Sequence, residues 1–305
     1  MGFALLKMAA RKRLSGGYFK AVLGAAVYYI PVYLVSMLNT LLIVKGIGFG
    51  ALSLIISAIF NIAVIDIFFV GYIRSLIKMS DSAESNPDGK GNYDVNLVLS
   101  GYQDNFGNTI KIMFTKRLYL FGWKLLTVVP IFAVAGIVAI MAYKPEISQM
   151  FTLIMELIKT PTEAAAQNVA VHIYSSCSYV AYMLMGASVL SGMLAIPYLR
   201  KIYEYEMIPM ILAEDSGISR QEAFSRTREI MDGFKFKYFL LQLSFLWFII
   251  VAFMLASLIL PTDWMVYVIA ALIMPYMYMT YIMFYFALTR NQNTAGEAEY
   301  IEVDE

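Results

Sequence analysis

The sequence predicts an all-α, polytopic membrane protein with six transmembrane helices and cytoplasmic interfacial helices. Hydrophobic residues make up 60% of the 305 positions and charged residues 15%, whereas charged residues make up about 25% of soluble domains. The mean hydropathy is +0.67. The apolar residues form six runs of the length that crosses the hydrocarbon core of a bilayer. Lysine and arginine are concentrated in alternate connections between these runs, which is the pattern of a multi-pass chain.

The six predicted spans belong to one membrane domain, residues 1-290. They cover approximately residues 21-44, 47-72, 119-143, 173-199, 238-260 and 264-288. The first run is too long for the hydrophobic core of a signal peptide, so we expect it to remain as a span. Turns at Lys45-Gly46 and at Pro261-Thr262-Asp263 separate the first two and the last two spans. The tail, residues 291-305, is polar and acidic, a composition typical of disorder.

Three connections have their own sequence signals. The composition of residues 80-92 indicates a flexible loop. Apolar residues recur at helical spacing over residues 95-114, which predicts an interfacial helix broken near Gly107. Residues 144-172 are expected to form a loop with an amphipathic segment, within which Thr160 and Glu163 have the spacing of a capping box.

The distribution of basic residues predicts the orientation. Before the first span lie 5 Lys and Arg residues, 6 lie between the second and third spans, 7 between the fourth and fifth, and 1 after the sixth. The opposite side carries 3, namely Lys45, Lys144 and Lys159. Because basic residues are retained on the cytoplasmic side, we expect both termini to be cytoplasmic in a cell membrane.

The connector between the fourth and fifth spans is the polar segment of the chain that carries the most sequence signals. Ser219 and Glu222 form a capping box, and the helix that they begin should end before Gly233. Glu222 and Arg226 are spaced as an i,i+4 ion pair. The candidate residues of this connector are Glu214, Asp215, Ser219, Glu222, Arg226, Arg228 and Gly233.

This connector admits two interpretations. Its basic helix could contact lipid headgroups or a partner protein. It could equally be a connector that packs its apolar face on the ends of its own spans, with a charged face that is merely solvated. That apolar face would comprise Ala223, Phe224, Thr227, Ile230 and Met231. Glu214 and Asp215 could hold a cation, pair with nearby arginines, or serve only as turn and cap residues.

The connector and the last two runs carry a distinctive pattern of residues: Tyr205, Met207, Ala213 to Asp215, Ile218-Ser219, Glu222-Ala223, Arg226, Met231-Asp232-Gly233, Phe239, Leu243-Ser244-Phe245, Trp247, Pro275-Tyr276, Thr280 and Tyr285. This pattern resembles a known family, the uncharacterised bacterial membrane proteins catalogued as domain of unknown function 975. The resemblance is strongest from Pro197 to Arg290. It implies a polytopic membrane fold and no established activity, so it transfers no catalytic residue.

Catalytic and metal chemistry find little support in the sequence. His172 is the only histidine and Cys177 the only cysteine, so a histidine-based triad or a histidine-rich metal site is hard to assemble within one chain. The two residues are five apart and do not share a helix face. We therefore expect no catalytic, cofactor-binding or metal-binding residues, and no cofactor.

Two charged residues fall within predicted spans, Asp66 in the second and Lys124 in the third. Intramembrane charges are costly and often functional, although a lysine near the boundary can extend its ammonium to water. Asp66 lies eight residues from Arg74 and Lys124 seven from Arg117, which places them roughly 12 Å and 10 Å inside the membrane. At similar depths on consecutive antiparallel spans, the two side chains could pair.

The sequence favours a non-enzymatic membrane scaffold, a partner or regulator of another membrane component. The alternative is a carrier or exporter of a small amphipathic or lipid-like substrate, which would need a polar cavity that reaches mid-membrane near Asp66. A membrane enzyme acting on lipid is the weakest of the three. The expected partners are the lipid bilayer and either another membrane protein or anionic lipid headgroups, and a net charge of +1 gives no basis for nucleic-acid binding.

If Asp66 and Lys124 form a pair, removing one partner harms folding more than removing both. We expect Asp66→Asn or Lys124→Met to lower the yield of folded protein, and the double variant to restore part of it. The measurement is the monodisperse yield after solubilisation. Losses that simply add would show that the two residues do not interact, and Asp66 alone would then be the candidate substrate or proton site.

Overall fold

The computed structural model describes residues 2–44, 58–142, 144–160, 162–175, 185–192, 195–259 and 263–293. All regular secondary structure in these residues is helical, which confirms the all-α class. Several features of the sequence lie outside the described residues. They are the predicted turn at Lys45-Gly46, the single cysteine Cys177, the Pro261-Thr262 pair and nearly all of the predicted tail.

The N-terminal part of the chain contains four α-helices and one 3-10 helix among the described residues. They are α1 (Phe3–Leu14), α2 (Tyr18–Val44), α3 (Ala58–Ser85), the 3-10 helix (Val95–Tyr102) and α4 (Phe106–Ala142). Within α3, residues Asn61–Ile65 form a π-helical turn, and α-helical geometry resumes at Asp66.

The remaining helices include two short ones near the connector and two long ones at the end. They are α5 (Lys144–Lys159), α6 (Glu163–Ser175), α7 (Ile196–Glu204), α8 (Ile208–Glu214), α9 (Arg220–Ile230), α10 (Lys235–Ile259) and α11 (Asp263–Asn293). Residues 185–192 are also helical.

Four helices of the described chain are long and apolar enough to cross a membrane. They are Tyr18–Leu41, Ala58–Ser85, Phe106–Val138 and Trp264–Arg290, of 24 to 33 residues, or about 36 to 50 Å. A fifth candidate arises if α9 and Lys235–Val251, which are bent by 80°, count as one span. The predicted span 173-199 includes residues 176–184 and 193–194, which lie outside the described residues. Six spans therefore stay a prediction.

The third predicted span begins earlier than expected. Gly107 does not interrupt a helix, because it lies in the first turn of α4, which continues from Phe106 to Ala142 without a break. The chain instead breaks after the 3-10 helix, where Asn105 adopts a left-handed backbone conformation with φ of 48°. The predicted interfacial helix is thus a 3-10 helix followed by the extended start of α4. Similarly, the predicted loop at residues 80-92 is helical as far as Ser85.

Residues 144-172, expected to be a loop, form the two helices α5 and α6. The cap of α6 also differs from the prediction. Thr162, rather than Thr160, accepts a hydrogen bond at its hydroxyl from the backbone of Ala165, 3.2 Å away. The Thr160 hydroxyl instead donates to the carbonyl of Glu156 at 3.0 Å, because the preceding helix continues to Lys159.

The chain divides into two compact units. The first comprises Met1–Val35, Phe60–Phe114 and Tyr203–Glu305, and the second Ser36–Ile59 and Thr115–Ile202. Helix α3 is central to the first unit, since every residue from Val70 to Ile77 is buried whichever way its side chain points. In the most apolar stretch of α4, by contrast, no residue is buried. A helix whose side chains are both apolar and exposed has the character of a lipid-facing helix.

Two glycines allow the 3-10 helix to pack closely on α3. A β-carbon at Gly71 would lie 2.1 Å from the carbonyl oxygen of Val98, and one at Gly101 would lie 2.6 Å from that of Ile67. Both obstacles are backbone atoms, so the two helices would have to separate to admit any side chain. This contact holds the polar end of the 3-10 helix beside Arg74.

The Gly71 contact predicts opposite effects of one substitution at two sites. Gly71→Ala should destabilise the protein by about 1–3 kcal/mol through overpacking. Gly122→Ala in α4, where nothing lies within 4 Å of the new methyl group, should be neutral or stabilising by up to about 1 kcal/mol. Thermal unfolding in a mild detergent measures both. A Gly71→Ala protein as stable as the wild type would contradict the close packing.

Candidate functional site

Arg74 is a buried side chain of the first unit that makes hydrogen bonds to several elements of the chain. The residue is 5% exposed. Its Nε donates to the carbonyl of Ala213 at 3.1 Å and one terminal nitrogen donates to that of Leu212 at 3.3 Å. The other terminal nitrogen donates to the Ser100 hydroxyl at 3.1 Å and to Asp104 Oδ2 at 2.8 Å. One guanidinium therefore joins α3, the 3-10 helix and the end of α8.

The position of α8 explains why Arg74 finds acceptors there. The last carbonyls of a helix have no partner within the helix and carry the negative end of its dipole. Leu212 and Ala213 lie in the last turn of α8, just before it ends at Glu214. A buried cation in front of these carbonyls satisfies them and is itself stabilised. The side chain of Asp104 is 60% exposed, whereas the hydrogen bonds from Arg74 to the two backbone carbonyls are buried.

Glu204 forms a second buried junction. The residue is 5% exposed. Its carboxylate lies 3.0 Å from Lys235 Nζ and 3.5 Å from Arg228 Nε, and its backbone carbonyl accepts a hydrogen bond from the Thr227 hydroxyl at 2.9 Å. The end of α7 is thereby tied to α9 and to the start of α10. A buried carboxylate with two cationic partners meets the condition under which burying a charge is tolerated.

Glu214 links the connector to the end of the last helix. Tyr285 donates its hydroxyl proton to Glu214 Oε2 at 2.5 Å. Arg226 and Arg290 approach the same carboxylate at 3.8 Å and 3.7 Å. Arg290 also contacts Asp81 at 2.8 Å. The carboxylate at the end of α8 therefore meets cations from α9 and α11.

The same ionic network extends to the N-terminal helix. Arg290 and Arg13 each lie 3.5 Å from Glu84 at the end of α3. Arg13 additionally donates to the hydroxyl of Ser80 at 2.6 Å and to its carbonyl at 2.7 Å. We call the set that joins α1, α3, α8, α9 and α11 the polar clasp; it consists of Arg13, Asp81, Glu84, Glu214, Arg226, Tyr285 and Arg290.

The connector helix begins and ends as its sequence predicts. Ser219 accepts a hydrogen bond at its hydroxyl from the backbone of Glu222 at 3.2 Å, and α9 ends at Ile230. Gly233 has φ of +73°, a conformation that glycine adopts without strain. The predicted apolar face is buried at all five positions, Ala223, Phe224, Thr227, Ile230 and Met231. These contacts favour the packed connector over a helix that is free to bind elsewhere.

Among the other connector residues, Arg226 takes a different partner from its expected one, and Glu214 and Asp215 take roles that the sequence left open. The structure gives Arg226 a contact with Glu214, not the expected i,i+4 pair with Glu222. Asp215 accepts a hydrogen bond from the backbone of Gly217 at 2.8 Å, which makes it a turn residue. Arg228 faces Glu204. Any functional role of these residues beyond packing stays a prediction.

Asp66 and Lys124 are placed in different units. Asp66 is 7% exposed and directly follows the π-helical turn of α3, with its backbone N–H bonded to the Asn61 carbonyl. Lys124 is exposed on α4. Their pairing stays a prediction. Single π-helical turns are frequent at functional sites, so Asp66 keeps its interest as a candidate.

Sequence reasoning missed Arg74 and Glu204. The available signal for Arg74 was a single arginine just past the end of the second predicted span, within a sequence that stays largely apolar as far as Ile77. In the described residues, no group of three or more His, Cys, Asp or Glu side chains could hold a metal ion. His172 lies in α6.

The Arg74 junction predicts a large effect of losing its guanidinium. Arg74→Gln leaves buried carbonyls without a donor and should destabilise the protein by on the order of 3 kcal/mol. The stability of Arg74→Lys should lie between those of the wild type and Arg74→Gln, because an ammonium keeps the charge but cannot reproduce the planar guanidinium fork. The matched control is Lys78→Gln, one turn along α3 and exposed. The stability of the three variants is measured as protease resistance in detergent. Equal resistance of Arg74→Gln and Lys78→Gln would contradict a stabilising role of the Arg74 hydrogen bonds.

Comparison with protein families gives a match over most of the chain. The model of the family described as "Protein of unknown function (DUF975)" matches residues 4–292. The chain therefore belongs to this family, as its resemblance indicated. Neither a curated protein nor a solved structure matches the chain.

Proposed function

We propose that this member of the DUF975 family is a six-span protein of the bacterial cell membrane that acts as a non-enzymatic scaffold, a partner or regulator of another membrane component. Both termini are proposed to be cytoplasmic. The observation that carries the proposal is the polar clasp, with the two buried junctions at Arg74 and Glu204 beside it.

The polar clasp supports the proposed orientation. Its members come from four separate parts of the sequence: the N-terminus, the end of the second predicted span, the connector after the fourth, and the end of the sixth. The charge distribution assigns all four parts to the cytoplasm. A chain of ion pairs joins these parts. Glu84 lies 3.5 Å from both Arg13 and Arg290, and Arg290 lies 3.7 Å from Glu214. Side chains in contact must lie on the same side of a bilayer, as that assignment requires.

The use of these charges favours a scaffold over an enzyme. Arg74, Glu204 and Glu214 each meet protein groups from several helices and fix those helices relative to one another within the first unit. Such interactions order a surface and leave its outward face to a partner. On α9 that outward face includes Arg220, Glu222 and Glu229, all of them exposed.

A carrier of a small amphipathic or lipid-like substrate is the second candidate. It is favoured by one observation, the buried Asp66 beside a π-helical turn in a helix apolar enough to span the membrane. A carrier needs a polar group at depth that can take and release a proton or an ion.

The proposed topology predicts which introduced cysteines react from outside the cell. In a Cys177→Ser background, single cysteines at Gly46, Thr160 and Thr262 should react with a membrane-impermeant thiol reagent applied to whole cells. Cysteines at Ser85, Gly217 and Gly296 should react only after permeabilisation. Labelling of the Gly217 position in intact cells would overturn the orientation.

Cross-linking in cells followed by mild-detergent purification tests the scaffold role. We expect a membrane protein to co-purify in near-stoichiometric amount. Charge reversal at Glu222 and Glu229 should remove it, whereas reversal at Asp88, exposed in the loop after α3, should not. Recovery of a small amphiphile with no protein, lost in Asp66→Asn, would favour the carrier instead.

A further inference from the structure

A cavity of about 370 Å³ lies where α1 turns into α2 beside the middle of α11. It is lined by Arg11, Leu14, Ser15, Tyr18 and Tyr276. Its volume is at the lower end of the range found for small-molecule sites. The cavity combines one cation and three hydroxyl-bearing side chains with an aliphatic wall. That combination suits a small anionic group attached to an apolar body.

The guanidinium of Arg11 is positioned by Tyr276. Arg11 Nε donates to the Tyr276 hydroxyl at 3.2 Å, and the guanidinium carbon lies 5.4 Å from the centre of the same ring. Within the described residues, the two terminal nitrogens have no acceptor. A planar pair of N–H donors held in this way is suited to bidentate binding of a phosphate.

The walls of the cavity are fixed to the rest of the first unit. Tyr18 donates its hydroxyl proton to the carbonyl of Leu272 at 2.6 Å. Lys7, one turn before Arg11, donates to the carbonyl of Ser244 at 3.4 Å, with its ammonium 4.5 Å from the ring centre of Phe245. Burial lowers the pKa of Lys7, and the neighbouring positive charge of Arg11 lowers it further. Helix α1 is thus a docked element whose cations are held close together.

The surroundings of the cavity are both cationic and apolar. Lys7, Arg11, Lys12, Arg13 and Lys20 precede the first apolar run, and no acidic residue occurs before Asp66. On the two helices that bring Arg11 and Tyr18 to the cavity, large apolar side chains are exposed: Leu5, Met8 and Phe19 are 67%, 63% and 73% exposed. A segment that combines basic residues with exposed apolar ones binds at the surface of anionic membranes.

We infer that this cavity binds the phosphate headgroup of an anionic glycerophospholipid. The phosphate contacts the terminal nitrogens of Arg11, and the acyl chains remain outside along the exposed apolar side chains. The cavity is open to the outside, so a headgroup bound in it can leave its acyl chains outside. This inference rests on the membrane placement proposed above and on no partner protein, so it can fail while the scaffold role stands.

Native mass spectrometry of the detergent-purified protein tests this site. Phosphatidylglycerol should bind in preference to phosphatidylcholine with the same acyl chains. Arg11→Gln should weaken phosphatidylglycerol binding by about tenfold, the loss of one charge-assisted bidentate contact. The affinity of Arg11→Lys for phosphatidylglycerol should lie between those of the wild type and Arg11→Gln, because an ammonium keeps the charge but not the planar guanidinium fork.

The matched control is Lys12→Gln. It also removes one positive charge, but Lys12 is the next residue along the chain and does not line the cavity. It should bind like the wild type. Equal losses in Arg11→Gln and Lys12→Gln would reduce the effect to surface charge and overturn the site.

A second variant keeps the charge and blocks the space. Ser15 is an exposed residue of the cavity wall, so Ser15→Phe should fill the cavity without undocking α1 and should abolish the preference for phosphatidylglycerol. An unchanged preference in Ser15→Phe would contradict the assignment. Displacement of the lipid by an equal concentration of inorganic phosphate would assign the cavity to a free anion, and would also overturn it.

Discussion

A guanidinium that is removed from water must find its hydrogen-bond acceptors inside the protein, and the packing of the first unit depends on this requirement at Arg74. The acceptors come from the 3-10 helix and from the last turn of α8, which are 26 and 139 residues away in sequence. The 3-10 helix can bring its acceptors to Arg74 because Gly71 and Gly101 let it approach the backbone of α3. The close packing therefore supports the buried charge.

The polar end of the first unit extends beyond what a bilayer can cover. Helix α11 has 31 residues and is about 46 Å long, whereas the hydrocarbon core is about 30 Å thick. Its first half has outward apolar residues at Trp264, Val268 and Leu272. Its second half is buried almost throughout from Met279 to Phe286. The first half therefore has the character of a lipid-facing helix, and the second half belongs to the buried core of the first unit, next to the polar clasp.

Local signals in the sequence were sufficient for the helical class and for α9. Ser219, the buried face of α9 and Gly233 depend on residues within a few positions of one another, so their spacing alone specifies them. The break at Asn105 was not found, because glycine at 107 is the stronger local signal and costs little in the first turn of a helix.

The buried junctions could not be predicted in the same way. Glu204 and Arg74 look like ordinary charges in a connection or at a span boundary, and only contacts between distant segments show that they are buried. Arg226 illustrates the limit: its local partner Glu222 was visible in the sequence, yet its contact is with Glu214, held by the fold at the end of another helix.

The contact between Arg11 and Tyr276 has a consequence for the order in which the chain is assembled. The two residues are separated by 265 positions, and translation adds about 5–20 residues per second. Helix α1 therefore emerges about 13 to 50 seconds before its docking site on α11 exists. During that interval Arg13 can already reach Ser80 and Glu84 at the end of α3, whereas Arg11 still lacks its contact with Tyr276. The docking of α1 can therefore be completed only after α11 has been made, since Arg11 takes its contact from Tyr276.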